Sequence, residues 1–302
     1  MKCALLVTAI AAAACGKQTF LAAAFVQTPS VPNPSDPQRP FPQYQIVTAY
    51  FGTIDTTDPT SIDSSKVAGV ADAGVDISFD HVGDGGVLEP RDLYTASAAP
   101  SANRWTQPAS GTYELSSSDE PQLTFEIGQP YRLVLIDGNG DAYGAQFVPG
   151  PADDMQEFQN TTCTSFGGQS ITPVSRCIQT HARNSDLTLD RCSPGAGGCG
   201  AESSPQPAFI VVVKVDPNNP TANPKIVYTT VPQDPVSLLK YELSDQPYRF
   251  TQGVIPGSQA FQTAGLYAVV LVTAKPGKVS GNAFLGSTAV VGTGAAGLIQ
   301  VQ

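Results

Sequence analysis

The chain is short of charge and of imidazole. Charged residues make up 14% of its 302 positions, against about 25% in an average soluble protein. Histidine occurs twice, as His81 and His181, tryptophan once and methionine twice. Two imidazoles leave little material for a histidine triad or a histidine-rich metal site, and neither lies near a serine or cysteine in a nucleophile-like context. Acidic residues outnumber basic ones 26 to 16, for a formal net charge of −10. With no basic cluster to offset that balance, nucleic acid is excluded as an expected partner. The G-x-S-x-G, H-E-x-x-H and P-loop signatures are all missing. No cofactor is expected, and long Glu/Lys/Ala-rich helical stretches are absent.

Turn formers and β formers are plentiful instead. The sequence holds 28 glycines and 26 prolines, and 41% of it is hydrophobic. That profile suits an all-β, turn-rich protein. Between residues 44 and 150 apolar and polar residues alternate. Val75, Ile77 and Phe79 are interleaved with Asp76, Ser78 and Asp80, and Leu123, Phe125 and Ile127 with Gln122, Thr124 and Glu126. A period of two marks strands with one buried face. Further strands are expected at 44–51, 111–117, 130–137 and 142–148, and from 206 onward at 208–215, 225–231, 247–255, 265–274, 287–291 and 297–301. The sequence therefore predicts two antiparallel β-sandwich domains, 44–150 and 206–302, joined by a disulfide-stapled irregular segment, 151–205. Pro151 to Asn160 reads as the start of a short helix, and Val236–Leu243 as a helical turn or linking strands.

The first sandwich resembles the transthyretin-like or Cna-B-like (Ig-like) β domains of bacteria. The residues that carry the resemblance are Ala73-Gly74-Val75-Asp76-Ile77, Gly111-Thr112-Tyr113-Glu114-Leu115 and Pro130-Tyr131-Arg132-Leu133, followed by a glycine-containing turn. The resemblance covers about a third of the chain and implies a fold, not an activity.

The start of the chain has another character. Lys2 precedes an apolar run from Cys3 to Ala14 that ends in small residues, the order of a secretory signal, and the run is too short to span a bilayer. Ala12-Ala13-Ala14-Cys15 resembles the lipobox of bacterial lipoproteins, which implies a signal peptide over 1–14, cleavage before Cys15 and lipid on its thiol. Gly16 after the cysteine resembles lipoproteins that travel to the outer membrane. The second route is ordinary secretion with a cut after Ala24, in the A-x-A setting of residues 21–25. Residues 15–43 are expected as a tether, since the stretch after Thr28 is proline-rich and such chains are extended and semi-rigid.

Four cysteines remain after Cys3 and Cys15: Cys163, Cys177, Cys192 and Cys199. An even number in an exported chain predicts two disulfides, and three pairings are open. The local one, Cys163 with Cys177 and Cys192 with Cys199, is the expectation. No C-x-x-C knuckle supports zinc with His181.

The remaining motifs have plain readings. Gly292-Thr293-Gly294-Ala295-Ala296-Gly297 fits G-x-G-x-x-G, but too few residues follow for a helix, so a hairpin turn is expected. Asp137, Asn139 and Asp141 alternate like half a calcium loop, yet the sixth and twelfth positions are Ala142 and Val148, so a β-turn is expected and metal is only a weak alternative. Asp80-His81 beside Asp84 reads as solvated loop, and Ser237-x-x-Lys240 lacks the partner motifs of penicillin-recognising enzymes. Trp105 is the binding candidate. On a loop it would offer a flat ring to a glycan or a partner protein; its other reading is a cap on the sandwich core. Taken together, the sequence predicts a non-catalytic, lipid-anchored protein of the bacterial cell envelope, with an adhesion-like binding role towards an envelope protein or glycan. A purely structural envelope component and a secreted carbohydrate-binding protein are the alternatives.

Overall fold

A computed structural model describes residues 16–56, 67–69, 76–81, 95–96, 105–109, 111–117, 123, 126–195, 198–201, 205–222, 225–231, 248–281, 283–284 and 286–302. The strands in chain order are β1 (Gly16–Thr28), β2 (Tyr44–Thr56), β3 (Val67–Gly69), β4 (Asp76–His81), β5 (Thr95–Ala96), β6 (Thr106–Ala109) and β7 (Thr112–Ser116). Then come β8 (Tyr131–Ile136), β9 (Ala142–Phe147), β10 (Asp154–Met155), β11 (Thr162–Phe166), β12 (Gln169–Ser175), β13 (Cys177–His181), β14 (Leu187–Gly195) and β15 (Gly198–Ala201). The last are β16 (Ala208–Val215), β17 (Lys225–Thr229), β18 (Gln252–Ile255), β19 (Gly265–Pro276), β20 (Lys278–Val279) and β21 (Thr288–Val301). A 3-10 turn at Gln156–Phe158 and a single α turn, α1 (Gly257–Ala260), are the helical elements among the described residues. The expected all-β class is what the chain forms.

One large sheet runs through both halves of the sequence, in the order β17-β16-β19-β21-β1-β2-β7-β6. Its centre is β1, antiparallel to β2 on one side and parallel to β21 on the other. This corrects the expected tether over 15–43. Phe20, Leu21, Ala22, Ala23, Ala24 and Phe25 are all buried, because both faces of β1 are covered. Leu21, Ala23 and Phe25 face one core, while Phe20 and Ala22 pack with Ile54 and Phe284 on the opposite side. A strand covered on both faces shows no alternation, so its apolar run resembled the end of a leader.

The proline-rich stretch that follows is also docked. Val31 and Phe41 exchange backbone hydrogen bonds across a β-bridge, and both side chains are buried in a second core. Fully buried Asn33 donates its amide to the carbonyl of Pro217 (2.9 Å) and accepts from the N–H of Ser35 (3.0 Å).

The first sandwich core lies between the β1–β2–β7 part of the large sheet and a smaller sheet, β20-β9-β8-β4-β5. Leu133, Leu135, Ala145 and Phe147 of the small sheet meet Leu21, Phe25, Val47, Phe51 and Leu115 of the large one. Phe25 is the hub, with its ring edge-on to Tyr131 (5.2 Å between centroids) and to Phe147 (6.1 Å). The β16–β19–β21 part of the sheet is covered on both faces. One face packs on Met155, Phe158, Leu189, Ile255 and Phe261, and the other on Val31, Phe41, Val174 and the Cys163–Cys177 pair. The segment 151–205, expected to be an irregular linker, therefore supplies cover for both faces and contains β10 to β15. Its apolar residues are sparse, but they meet β19 and β21, which are buried along almost their whole length.

Two further expectations change. Glycines 292 to 297 lie inside β21, which joins the two predicted short strands into one of 14 residues instead of turning back. Glycine here allows close approach: a Cβ at Gly297 would overlap the ring of Phe158, and one at Gly292 would come 2.6 Å from Val272. Of the predicted 122–127 strand, residues 123, 126 and 127 are described and none of them lies in a strand, while 122, 124 and 125 lie outside the described residues. Leu123 is buried, but Ile127 sits in a turn and is 60% exposed. The predicted 247–255 strand shortens to β18, and the predicted elements at 236–243 lie outside the described residues.

Candidate functional site

The residues singled out in the sequence do not converge. Cys15, Ser237 and Lys240 lie outside the described residues, and so do the side chains of Asp80, His81 and Asp84. Cys163 and Cys177 form a disulfide, with their α-carbons 5.3 Å apart, as the local pairing predicts. It pins the β11–β12 hairpin to β13 at the margin of the large sheet. Cys192 is disulfide-bonded as well, and Cys199 lies on β15, the strand paired with its own β14.

Trp105 is not an exposed contact. It is buried in the first sandwich core immediately before β6, the position of a core cap, and its indole N–H has no partner among the described residues. A ring in that position cannot lie flat against a glycan, so the binding role expected for Trp105 is withdrawn. Asp137, Asn139 and Asp141 form the tight β8–β9 turn. The Asp137 carboxylate accepts the N–H groups of Asn139 (2.9 Å) and Asp141 (3.0 Å), and the Asp137 carbonyl accepts from Gly140 (2.9 Å). The carboxylate serves its own backbone, as Asp does in turns. No group of three or more metal-ligating side chains occurs among the described residues.

Two ion pairs, one buried and one half-buried, act as struts. Arg191 is buried on β14 and pairs with Asp153, while its guanidinium also donates to the carbonyls of Gln206 (2.7 Å) and Phe250 (2.9 Å). Arg176 grips Asp154 with two bonds (2.9 and 2.5 Å) and donates its Nε–H to the carbonyl of Ala296 (2.8 Å), tying β12 and β10 to β21. A shallow groove of about 230 Å³ opens beside Arg176, walled by Pro29, Val31, Pro32 and Ala295. Burial raises the carboxyl pKa of Glu157 above 4.5, although its Oε1 accepts the N–H of Asp190 (2.8 Å). Burial likewise raises the Tyr131 phenol, whose oxygen accepts the N–H of Glu126 (2.7 Å).

That last bond shapes the surface feature best suited to contact. The turn between Glu126 and Gln129 is anchored by Tyr131 below and by the N–H of Gly128 donating to the carbonyl of Pro149 (2.8 Å). Gly128 has φ +84°, which glycine adopts without strain. On either side of the Gly128–Pro149 bond stand Ile127 and Val148, 60% and 49% exposed. The small sheet thus ends in a firmly held apolar tip. The sequence showed this only as alternation in the wrong element, because Ile127 was assigned to a strand.

No family model matches this sequence, and no curated protein does. Among solved structures, the chain is similar to the three N-terminal domains of the bacteriophage RB49 Highly Immunogenic Outer Capsid protein (Hoc). The identity is 11%, the match covers 93% of this chain and 59% of that one, and the TM-score is 0.20. It is also similar to the FN1–FN3 domains of chicken CNTN1, at 10% identity, over 85% of this chain and 62% of that one, with a TM-score of 0.17. The chain therefore spans about three fifths of the length of either.

Proposed function

We propose that this is a lipid-anchored, non-catalytic protein of the bacterial cell envelope that binds another envelope component through the ends of its sheets. The observation that carries the reading is the apolar tip of Ile127 and Val148. Large aliphatic side chains exposed on a turn held by Tyr131 and Pro149 lose little conformational freedom on contact, which favours binding. Sheets supply the frame and turns the contact surface. The ion-paired arginines Arg191 and Arg176 and the Asp137 turn hold the frame together, which suits a binding body better than a reaction centre. The lipobox-like Cys15 and the acidic balance support an outer-membrane location and a protein or glycan partner.

The test is in-cell crosslinking followed by mass spectrometry, comparing the wild type with the Ile127→Asp/Val148→Asp double variant. Both positions are exposed, so the variant folds. Loss of a specific crosslinked partner supports the reading. An unchanged set of partners removes the tip as the contact surface.

A further inference from the structure

We propose that leader removal stops before Gly16, so that Cys15 is the first residue of the mature chain, and that no tether separates it from the folded body. The lipid part of this inference rests on the anchoring proposed above; the position of the cut does not. Two cuts are compatible with the sequence, before Cys15 or after Ala24. The second would remove Gly16 to Ala24, nine of the 13 residues of β1. Among them, Phe20 and Leu21 are fully buried and Ala22 to Ala24 are 7% exposed or less.

The loss would also strip the partners of β1. Strand β2 pairs with it from Tyr44 to Thr56, and β21 from Thr288 to Thr293. Leu21 donates its N–H to Ser287 Oγ (3.0 Å), and the carbonyl of Thr19 accepts the N–H of Phe284 (2.6 Å). A shortened β1 would leave these groups unpaired in the middle of the sheet, where an orphaned backbone group is costly. A cut before Cys15 removes no residue of β1.

The same burial fixes the length of the leash. Gly16 is already paired with Thr56 at the start of β1, so a single residue step, about 3.8 Å, separates Cys15 from the sheet. A semi-rigid tether running to residue 43 would instead reach about 90 Å at roughly 3.1 Å per residue. The body is therefore held against the bilayer by the end of the sheet where Gly16 lies opposite Thr56.

Expression of the full chain in a bacterial host, with mass mapping of its N-terminal peptide, tests the cut. A start at lipid-modified Cys15 is expected. A start at unmodified Cys15 sustains the cut and overturns the anchoring reading alone. A folded product that starts at Phe25 or keeps Met1 overturns the inference. Two chains made without the leader, starting at Gly16 or at Phe25, give the independent check. The first should melt in a single cooperative transition and the second should show none; equal stability overturns the inference. In the membrane-bound protein, the amides of residues 20–26 should resist hydrogen exchange for hours. Exchange within seconds would restore the tether.

Discussion

Replacing Phe25 with alanine separates the two accounts of the N-terminal region. In a tether, the substitution would be silent. In the structure, Phe25 has no exposed surface and its ring lies edge-on between Tyr131 and Phe147. Removing a buried phenylalanine costs about 3–5 kcal/mol. The two ring contacts place Phe25 towards the upper end of that range, since aromatic pairs add about 0.5–1.5 kcal/mol beyond area burial. Each kcal/mol shifts Tm by about 2–4 °C in a chain of 150–250 residues, and this chain is longer, so a fall of about 8 °C is expected. The assay is urea unfolding of a chain that starts at Gly16, followed by tryptophan fluorescence, because Trp105 lies in the same core. Ile127→Ala is the control, on an exposed side chain. A cost below about 0.5 kcal/mol, the range of ordinary surface substitutions, would refute the placement of β1 in the core.

Three other outcomes are expected. Cys163→Ala/Cys177→Ala opens a link of sequence separation 14 and should lower stability by about 3 kcal/mol, measured by urea unfolding under oxidising conditions against the wild type with the same reagent. Gly297→Ala should cost more than 1 kcal/mol, because its methyl group would need the space of the Phe158 ring; adding Phe158→Leu should recover part of that loss in a double-mutant cycle. Glu157 gives a pH effect of defined sign. Its folded pKa lies above 4.5 because of burial, so the folded state holds its proton where the unfolded state has lost it. Stability from this group is present below about pH 4.5 and falls as pH rises through the folded value. Glu157→Gln, which keeps the acceptor for Asp190, should flatten that part of the stability profile and raise Tm at neutral pH relative to the wild type.

The parts of the fold that were legible are those where local pattern and environment agree. β8, with Tyr131, Leu133 and Leu135 buried and Arg132 and Val134 half-buried, shows the period of two that its sequence announces. β16 occupies the predicted 208–215. The Cys163–Cys177 pairing follows from proximity in sequence. β1 was hidden because burial on both faces erases alternation and because its alanines suit a leader as well as a tightly packed strand. β21 was split in two by glycines, whose usual meaning is a turn; here they admit Phe158 and Val272, a tertiary reason with no local trace. The cover provided by residues 151–205 depends on the faces of β19 and β21, far away in sequence. Of the candidate site, Trp105 was legible only as a ring needing a place, and Ile127 looked like half of a strand.

The pairing of β1 with β21 sets the order in which the molecule can assemble. Ala22 lies opposite Thr288 and Gln27 opposite Thr293, so the middle of the largest sheet joins positions from the two extremes of the sequence. Contacts this distant are slow to form, because the entropy of closing a long loop is lost before any of them stabilises the chain. The β1–β2 hairpin can form as soon as it is synthesised, but one edge of β1 stays open until β21 arrives. A ribosome stalled before Thr288 would release a chain with that edge bare, a template for wrong pairing. The arrival of β21 is thus the event that closes the sheet, and a chaperone that shields β1 until then would raise the yield of folded protein.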